Sequence, residues 1–279
     1  MSDSISLLIT GASSGIGWYL HQSLGGIGLT RHSANEDLRQ ATERGVELII
    51  HCAFNSAKDV DSRSLSSYLD DNLLLTQRLL EIPHEKFVYF SSVDVYPSDG
   101  SAQHREDDVI VADQLRGVYA LTKLSSEALV LARANQPLIL RPTTMLGPLC
   151  RPNTISRLMD GWDGRFFLAE RSLYNIVLYE DIARFISRAV NRNLTGIYNI
   201  AAAEPIELGE IAAMIGRSAR FGSHLYRVAP TDNAKASAIE PAFLRTSAQA
   251  ITTLIERRKR HPRGVLSCDN STVRQLNLI

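Results

Sequence analysis

The sequence predicts an α/β fold built on a doubly wound parallel sheet, and three observations carry that expectation. Short apolar runs alternate with amphipathic helical stretches through the first half of the 279 residues. The first run stops at a glycine-rich turn, Thr10-Gly11-Ala12-Ser13-Ser14-Gly15-Ile16-Gly17, that leads directly into a helix. A later run, Val46 to Ala53, is apolar almost throughout, as expected for a strand with both faces covered. Strands separated by helices of this length imply right-handed crossovers.

Taken in order, Leu7-Leu8-Ile9 is the first strand, and Ile16 to Leu24 has helical spacing with Leu20 and Leu24 on one side. Ile27-Gly28-Leu29 is a short second strand, and Asp37 to Arg44 a helix stopped by Gly45. After the Val46–Ala53 strand come a helix from about Ser64 to Glu81, a strand from Lys86 to Ser91, a helix from about Tyr119 to Asn135 and a strand from Pro137 to Leu140. Beyond Arg141-Pro142 the rhythm breaks at Gly147-Pro148, Arg151-Pro152 and Asp160-Gly161-Trp162-Asp163-Gly164. A strand over Leu173–Leu178, a helix over Glu180–Asn191, a strand over Gly196–Ile200 and a helix over Leu208–Ile215 follow, while 230–265 has no clear pattern. Residues 1–148 thus read as a dinucleotide-binding domain. Residues 149–279 read as a smaller mixed lobe over the sheet's carboxyl edge, with some elements returning to the core.

A chain of this length that is 44% hydrophobic can bury a large core. Thirty basic residues balance thirty acidic ones, so no global field draws it to nucleic acid or to anionic lipid, and a small ligand is the expected partner. The run Arg257-Arg258-Lys259-Arg260-His261-Pro262-Arg263 reads either as a solvated helix end or as a phosphate patch. Cys52, Cys150 and Cys268 are odd in number and widely spaced, which indicates neither a disulfide framework nor a metal site. The start, Met1 to Ser6, lacks a basic leader and no 18-residue apolar run occurs, so a cytoplasmic location is expected.

Glycines in a strand-to-helix turn let backbone approach a pyrophosphate, and the helix start supplies N–H groups and partial positive charge. Gly11, Gly15 and Gly17 fit that use, although their G-x-x-x-G-x-G spacing differs from the common fingerprint. An acid roughly 20 residues on commonly binds the ribose hydroxyls of NAD. The corresponding place here, Leu29-Thr30-Arg31-His32, has no carboxylate. Arg31 can meet a 2′-phosphate, which favours NADP over NAD, or it can simply face solvent.

Tyr119-Ala120-Leu121-Thr122-Lys123 sets a phenol and an ammonium one helical turn apart on one face. A tyrosine of pKa near ~10 needs a neighbouring positive charge to act as an acid at neutral pH, and Lys123 is placed to provide it. A hydroxyl from Ser91 or Ser92, at the end of a strand, can hold a substrate oxygen in reach of the phenol. These parts suit reversible hydride transfer at an alcohol carbon, with a nicotinamide carrying the hydride.

Together the residues resemble the extended branch of the short-chain dehydrogenase/reductase superfamily, the nucleotide-sugar epimerases, dehydratases and 4-ketoreductases, over nearly the whole chain. Beyond the turn, Ser92, Tyr119 and Lys123, the similarity covers Ile50-His51-Cys52-Ala53, Asn72, Leu140 to Pro148, Tyr179-Glu180-Asp181-Ile182-Ala183, and Gly196-Ile197-Tyr198-Asn199-Ile200 with Pro205 and Leu208 to Ile211. The resemblance implies a Rossmann core, selects Ser92 over Ser91 and assigns catalysis to Ser92, Tyr119 and Lys123. It implies cofactor contacts from Gly11, Ser13, Ser14, Gly15, Ile16, Gly17, Arg31, Asp37, Leu38, Ala53, Asn72, Tyr119, Lys123 and Pro142. It also implies a homodimer through two sheet helices, and no metal.

Three departures bear on substrate. Ser14 stands where extended members often have glycine, Pro97 follows Val95-Tyr96, and the chain closes at Ile279 soon after Asn270 to Arg274, which suggests a missing final helix. Asp94, two residues beyond Ser92, matches the place of a dehydratase acid/base, or else it serves strand-end solvation or a hydrogen bond to the Pro97 turn. Arg151, Arg165, Arg171 and Tyr174 are candidate contacts to a substrate diphosphate. The expected activity is NADP-dependent reduction of a keto group on a nucleotide-linked or related sugar. An epimerase retaining NAD(P) and a non-catalytic NADP-binding sensor are the alternatives.

Overall fold

The computed structural model describes residues 5–31, 35–57, 59–97, 102–162 and 164–260. Six strands form one sheet, ordered Ile27–Leu29 (β2), Ile5–Thr10 (β1), Val46–His51 (β3), His84–Phe90 (β4), Pro137–Pro142 (β5) and Gly196–Ile200 (β6), with every neighbouring pair parallel. The chain leaves β1 for β2 on one side and β3 on the other. That reversal opens a crevice at the strands' carboxyl ends, where sheets of this kind bind ligands.

Alternate residues of each strand point to opposite faces. Leu7, Ile9, Leu48, Ile50, Val88, Leu138 and Leu140 pack with Ile16, Tyr19 and Leu20 of helix Gly15–Leu24 (α1) and with Ile182, Phe185 and Ile186 of helix Tyr179–Asn191. Leu8, Ile49, Phe87, Tyr89 and Ile139 pack on the other face with Ala41 of helix Asn35–Arg44 (α2), Leu79 and Leu80, and Val130 of helix Gly117–Arg133. With both faces covered, near-continuous apolar strands are required, and the doubly wound α/β fold expected from the sequence is the one observed.

Two expected elements differ. The helix anticipated over 64–81 runs as an α-turn Leu65–Leu69, a π-helical segment Asp70–Leu74 and an α-segment Leu75–Leu80, here together called α3. The strand anticipated over Leu173–Leu178 is two strands. Leu173–Tyr174 pairs antiparallel with Ile206–Glu207, and Ile176–Leu178 pairs parallel with Thr144–Leu146. Asn175 makes the break: its Oδ1 accepts from Thr143 Oγ1 and Ala202 N while its Nδ2 donates to Ala202 O, so it ties the two short sheets to β6's exit.

Those short sheets belong to a second apolar cluster of Ile155, Leu158, Tyr174, Ile176, Leu208, Ile211, Ile251 and Leu254. The stretch without a clear pattern contains the helix Ser247–Arg260, which buries Ala250, Ile251 and Leu254 against that cluster. Its last turn holds Arg257, Arg258, Lys259 and Arg260, favourably placed at a helix C-terminus. Arg257 pairs with Glu180 and Arg258 with Asp160, so this part of the basic run is a helix end with local partners. His261-Pro262-Arg263, Cys268, Asn270–Arg274, His32 and Asp163 lie outside the described residues. Among the described residues no helix is long and apolar enough to cross a membrane.

Candidate active site

A cleft of about 1020 Å³ opens at the carboxyl ends of β1 to β4. Ser13, Ser14, Gly15, Ile16 and Gly17 line it at the first turn of α1, where backbone N–H groups lack intrahelical acceptors. Gly15 N donates to Leu149 O at 2.9 Å, which fastens the turn to the segment after Gly147-Pro148. Gly11 has φ +72°, and a Cβ there would lie 3.0 Å from Ala53 N. At Gly17 a Cβ would lie 2.5 Å from Gly11 O, inside contact distance. The turn is therefore a cradle that side chains would fill, and its residues fit a dinucleotide pyrophosphate.

A buried hydrogen-bond chain fixes the floor. Thr10 Oγ1 accepts from Cys52 N at 3.1 Å and Ala53 N at 3.0 Å, so its own hydrogen goes to His51 Nδ1 at 2.7 Å. His51 then carries its proton on Nε2 and donates to Thr76 Oγ1 at 3.0 Å, and Thr76 donates to Asn72 O at 2.7 Å. Burial, then the Lys123 charge, hold the imidazole down to about 3, so it stays neutral. Asn72 does not line the cleft. Its Oδ1 accepts from Asn55 N at 2.7 Å and its Nδ2 donates to Asn55 O, which shapes the loop that does.

Tyr119, Lys123 and Glu127 follow one another at successive turns of Gly117–Arg133 (α4). Lys123 is 4% exposed, and its Nζ donates to Phe90 O at 2.6 Å. Burial pulls its pKa down to about 7, with Cys52 and Glu127 acting in the opposite sense. Tyr119 is half-buried; burial foremost, and then Asp94, push its pKa up, while the Ser92 hydroxyl pulls it down. The phenol is therefore protonated at neutral pH. Arg151, a more remote cation, also pulls its pKa down. The Phe54 ring stands against both groups, 3.9 Å from Lys123 Nζ and 5.0 Å from the Tyr119 ring.

Ser92 caps the 3-10 turn Val93–Val95 by accepting from Asp94 N at 3.1 Å. Asp94 is exposed by surface area yet crowded by neighbouring atoms, and that desolvation raises its carboxyl pKa against the opposing hydrogen bond from Ser92. Behind Ser92 lies a buried charge pair: Glu127 accepts from Ser91 Oγ, from Arg141 Nε at 3.0 Å and from Arg141 NH2 at 2.7 Å. Arg141 NH1 also donates to Tyr96 Oη at 2.7 Å. This pair ties the end of β4 to α4 and β5.

Of the residues expected at the cofactor, Gly11, Ser13 to Gly17, Arg31, Leu38, Ala53, Tyr119 and Lys123 line the cleft. Asp37, Asn72 and Pro142 do not, and neither does Ser92, which approaches Tyr119 from beside it. Arg151 does line it, with NH1 donating to Ser56 Oγ and NH2 to Phe54 O, each at 2.6 Å. Arg165, Arg171 and Tyr174 lie away from it; Tyr174 is buried with its ring 5.0 Å from that of Tyr226. Sequence reasoning missed Asp71, Phe54 and the Thr10–His51–Thr76 chain. Thr10 and His51 lay within motifs already noted and Asp71 stands beside Asn72 in another, whereas Phe54 carried no local signal.

A parallel sheet with a glycine cradle at its reversal point, and a tyrosine and lysine one turn apart beside it, define a dinucleotide-binding protein of the extended short-chain dehydrogenase/reductase type. Residues 7–201 match the model of the NAD dependent epimerase/dehydratase family, and the chain belongs to that family. A search of curated proteins finds no match. Among solved structures, MoeE5 in complex with UDP-glucuronic acid and NAD is similar, at 22% identity and a TM-score of 0.75 over 91% of this chain and 99% of that one. A UDP-glucuronic acid 4-epimerase from Bacillus cereus, with UDP-glucuronic acid and NAD, is 21% identical, TM-score 0.73, over 92% and 99%. RMD from Pseudomonas aeruginosa, complexed with NADPH, is 19% identical, TM-score 0.70, over 90% and 98%. At these identities the likeness is one of fold.

Proposed function

We propose that this chain is an NADP-preferring oxidoreductase that reduces a keto group of a nucleotide-linked sugar, with Ser92, Tyr119 and Lys123 as its catalytic residues. The observation that carries this reading is the convergence, beside one cleft, of the glycine cradle with a protonated phenol that faces a serine hydroxyl. The nicotinamide, when bound, supplies the hydride. Ser92 holds the carbonyl oxygen, and Tyr119 delivers its proton to that oxygen as the carbon gains hydride. The products are a secondary alcohol and the oxidised dinucleotide. Tyr119, left as phenolate, regains its proton from solvent before the next turnover. Lys123, next to Tyr119 and already holding the end of β4 through Phe90 O, orients the nicotinamide ribose. In this reading residues 1–148 bind the dinucleotide and 149–279 form the substrate lobe. The exposed Leu74 of α3 and Leu121 of α4 support a homodimer through these helices.

NADP preference rests on Arg31 at the cleft mouth and on the absence of an acid at the end of β2. The epimerase is the second reading, supported by the NAD-bound 4-epimerase among the structural neighbours. Native mass spectrometry of the purified protein, with NAD, NADP and a panel of nucleotide sugars, separates the two. The reductase releases oxidised dinucleotide after consuming NADPH with a keto-sugar. Tightly retained NAD with no NADPH consumption contradicts it and favours the epimerase.

A further inference from the structure

Along the cleft wall that includes Leu38 and Leu75, charged side chains meet in two pairs. Arg31 NH2 donates to Asp71 Oδ2 at 2.7 Å, and Arg78 NH1 donates to Asp70 Oδ1 at 3.1 Å. Arg31, Asp71 and Arg78 all line the cleft. Asp71 is held from a second side, because Asn55 Nδ2 donates to the same Oδ2 at 2.8 Å. Its place on the π-helical segment of α3 matters: the neighbouring Asn72 turns inward to grip Asn55, while Asp71 stays at the cleft. The carboxylate missing from the end of β2 is thus supplied from a distant part of the chain, directly against Arg31.

We infer that Asp71 is a specificity-determining residue that, by neutralising Arg31, limits the site's preference for a dinucleotide bearing a 2′-phosphate. The inference rests on the cofactor reading above. A 2′-phosphate, with a charge of about −2, is attracted by Arg31 and Arg78 and repelled by Asp71 and Asp70. A 2′-hydroxyl carries no charge and can donate to the Asp71 carboxylate. The Arg31 side chain is 73% exposed, so the ion pair contributes little to folding and is free to exchange partners with a ligand. Asp71 therefore opposes what Arg31 favours.

The test is fluorescence titration of NADPH and NADH into the wild type and Asp71→Asn at low ionic strength. The amide oxygen of asparagine keeps an acceptor for Asn55 while removing the charge. Asp71→Asn is expected to tighten NADPH about tenfold and leave NADH unchanged or weaker, a shift that shrinks near about 1 M salt, where the screening length is about 3 Å. Arg31→Gln is expected to move the ratio toward NADH. A ratio that stays within about twofold, or two affinities that move together, would make Asp71 a prop for the Asn55 loop and overturn the inference, on the scale where tenfold is about 1.4 kcal/mol. Failure of the wild type to bind either dinucleotide would overturn the cofactor reading with it.

Discussion

Lys123 is a site residue whose chemistry the fold alters strongly. Its ordinary pKa is 10.5, and burial brings it to about 7. Below about 7 it is protonated in folded and unfolded chains alike, and the native state bears the whole cost of a buried ammonium. As pH rises from there toward the unfolded value the native state releases the proton first, so that cost disappears and stability gains. Lys123→Met should therefore raise the melting temperature relative to wild type most at about pH 6, and that advantage should shrink by about 5 °C by about pH 9. A difference that is flat or grows with pH would show that Lys123 titrates normally. The spacing of Tyr119 and Lys123 was legible from sequence because an α-helix converts four residues into one face. Asp71 and Phe54 were not, since they reach Arg31, Tyr119 and Lys123 through tertiary packing across the sheet.

At the scale of elements, α4 is positioned by its third turn. The Glu127–Arg141 pair is 2% and 3% exposed, and both partners are fully hydrogen-bonded, one to Ser91 and the other to Tyr96. Removing one member leaves an uncompensated buried charge, so Glu127→Leu should destabilise the protein by about 3–5 kcal/mol in urea denaturation. A loss under about 1 kcal/mol would mean that Arg141 finds water or another partner. Regular elements were readable wherever apolar periodicity was uninterrupted: β6 and the helix Leu208–Ile215 have the bounds the sequence predicts. Reading stopped where side-chain hydrogen bonds override periodicity. Asn175 cuts one expected strand in two, and Thr76, by bonding Asn72 O, accompanies the π-helical step in α3. The helix Ser247–Arg260 escaped because its buried apolar residues are Ala250, Ile251 and Leu254, with the polar Ser247 beside them, too few to mark a long segment.

At the scale of the molecule, the sheet reversal between β2 and β3 around β1 puts every element of the proposed chemistry on one rim. The glycine cradle comes from the first crossover, the loop carrying Phe54 and Asn55 from the third strand, Ser92 from the fourth and Tyr119 from the helix that follows. The second apolar cluster holds the segment after Gly147-Pro148 over that rim, and Arg151 extends from it to Phe54 and Ser56. Class and fold could be read early because each needs only local pattern and order. Which sugar sits against Tyr119 depends on side chains brought together by the second cluster, and no short motif encodes that. The most direct test is NADPH consumption with a panel of nucleotide-linked keto-sugars by wild type and Tyr119→Phe, with NADPH affinity measured on both. The account predicts that Tyr119→Phe binds NADPH within about fivefold of wild type, the worth of one hydrogen bond, yet loses about 100-fold or more in turnover. Turnover undiminished in Tyr119→Phe would contradict it.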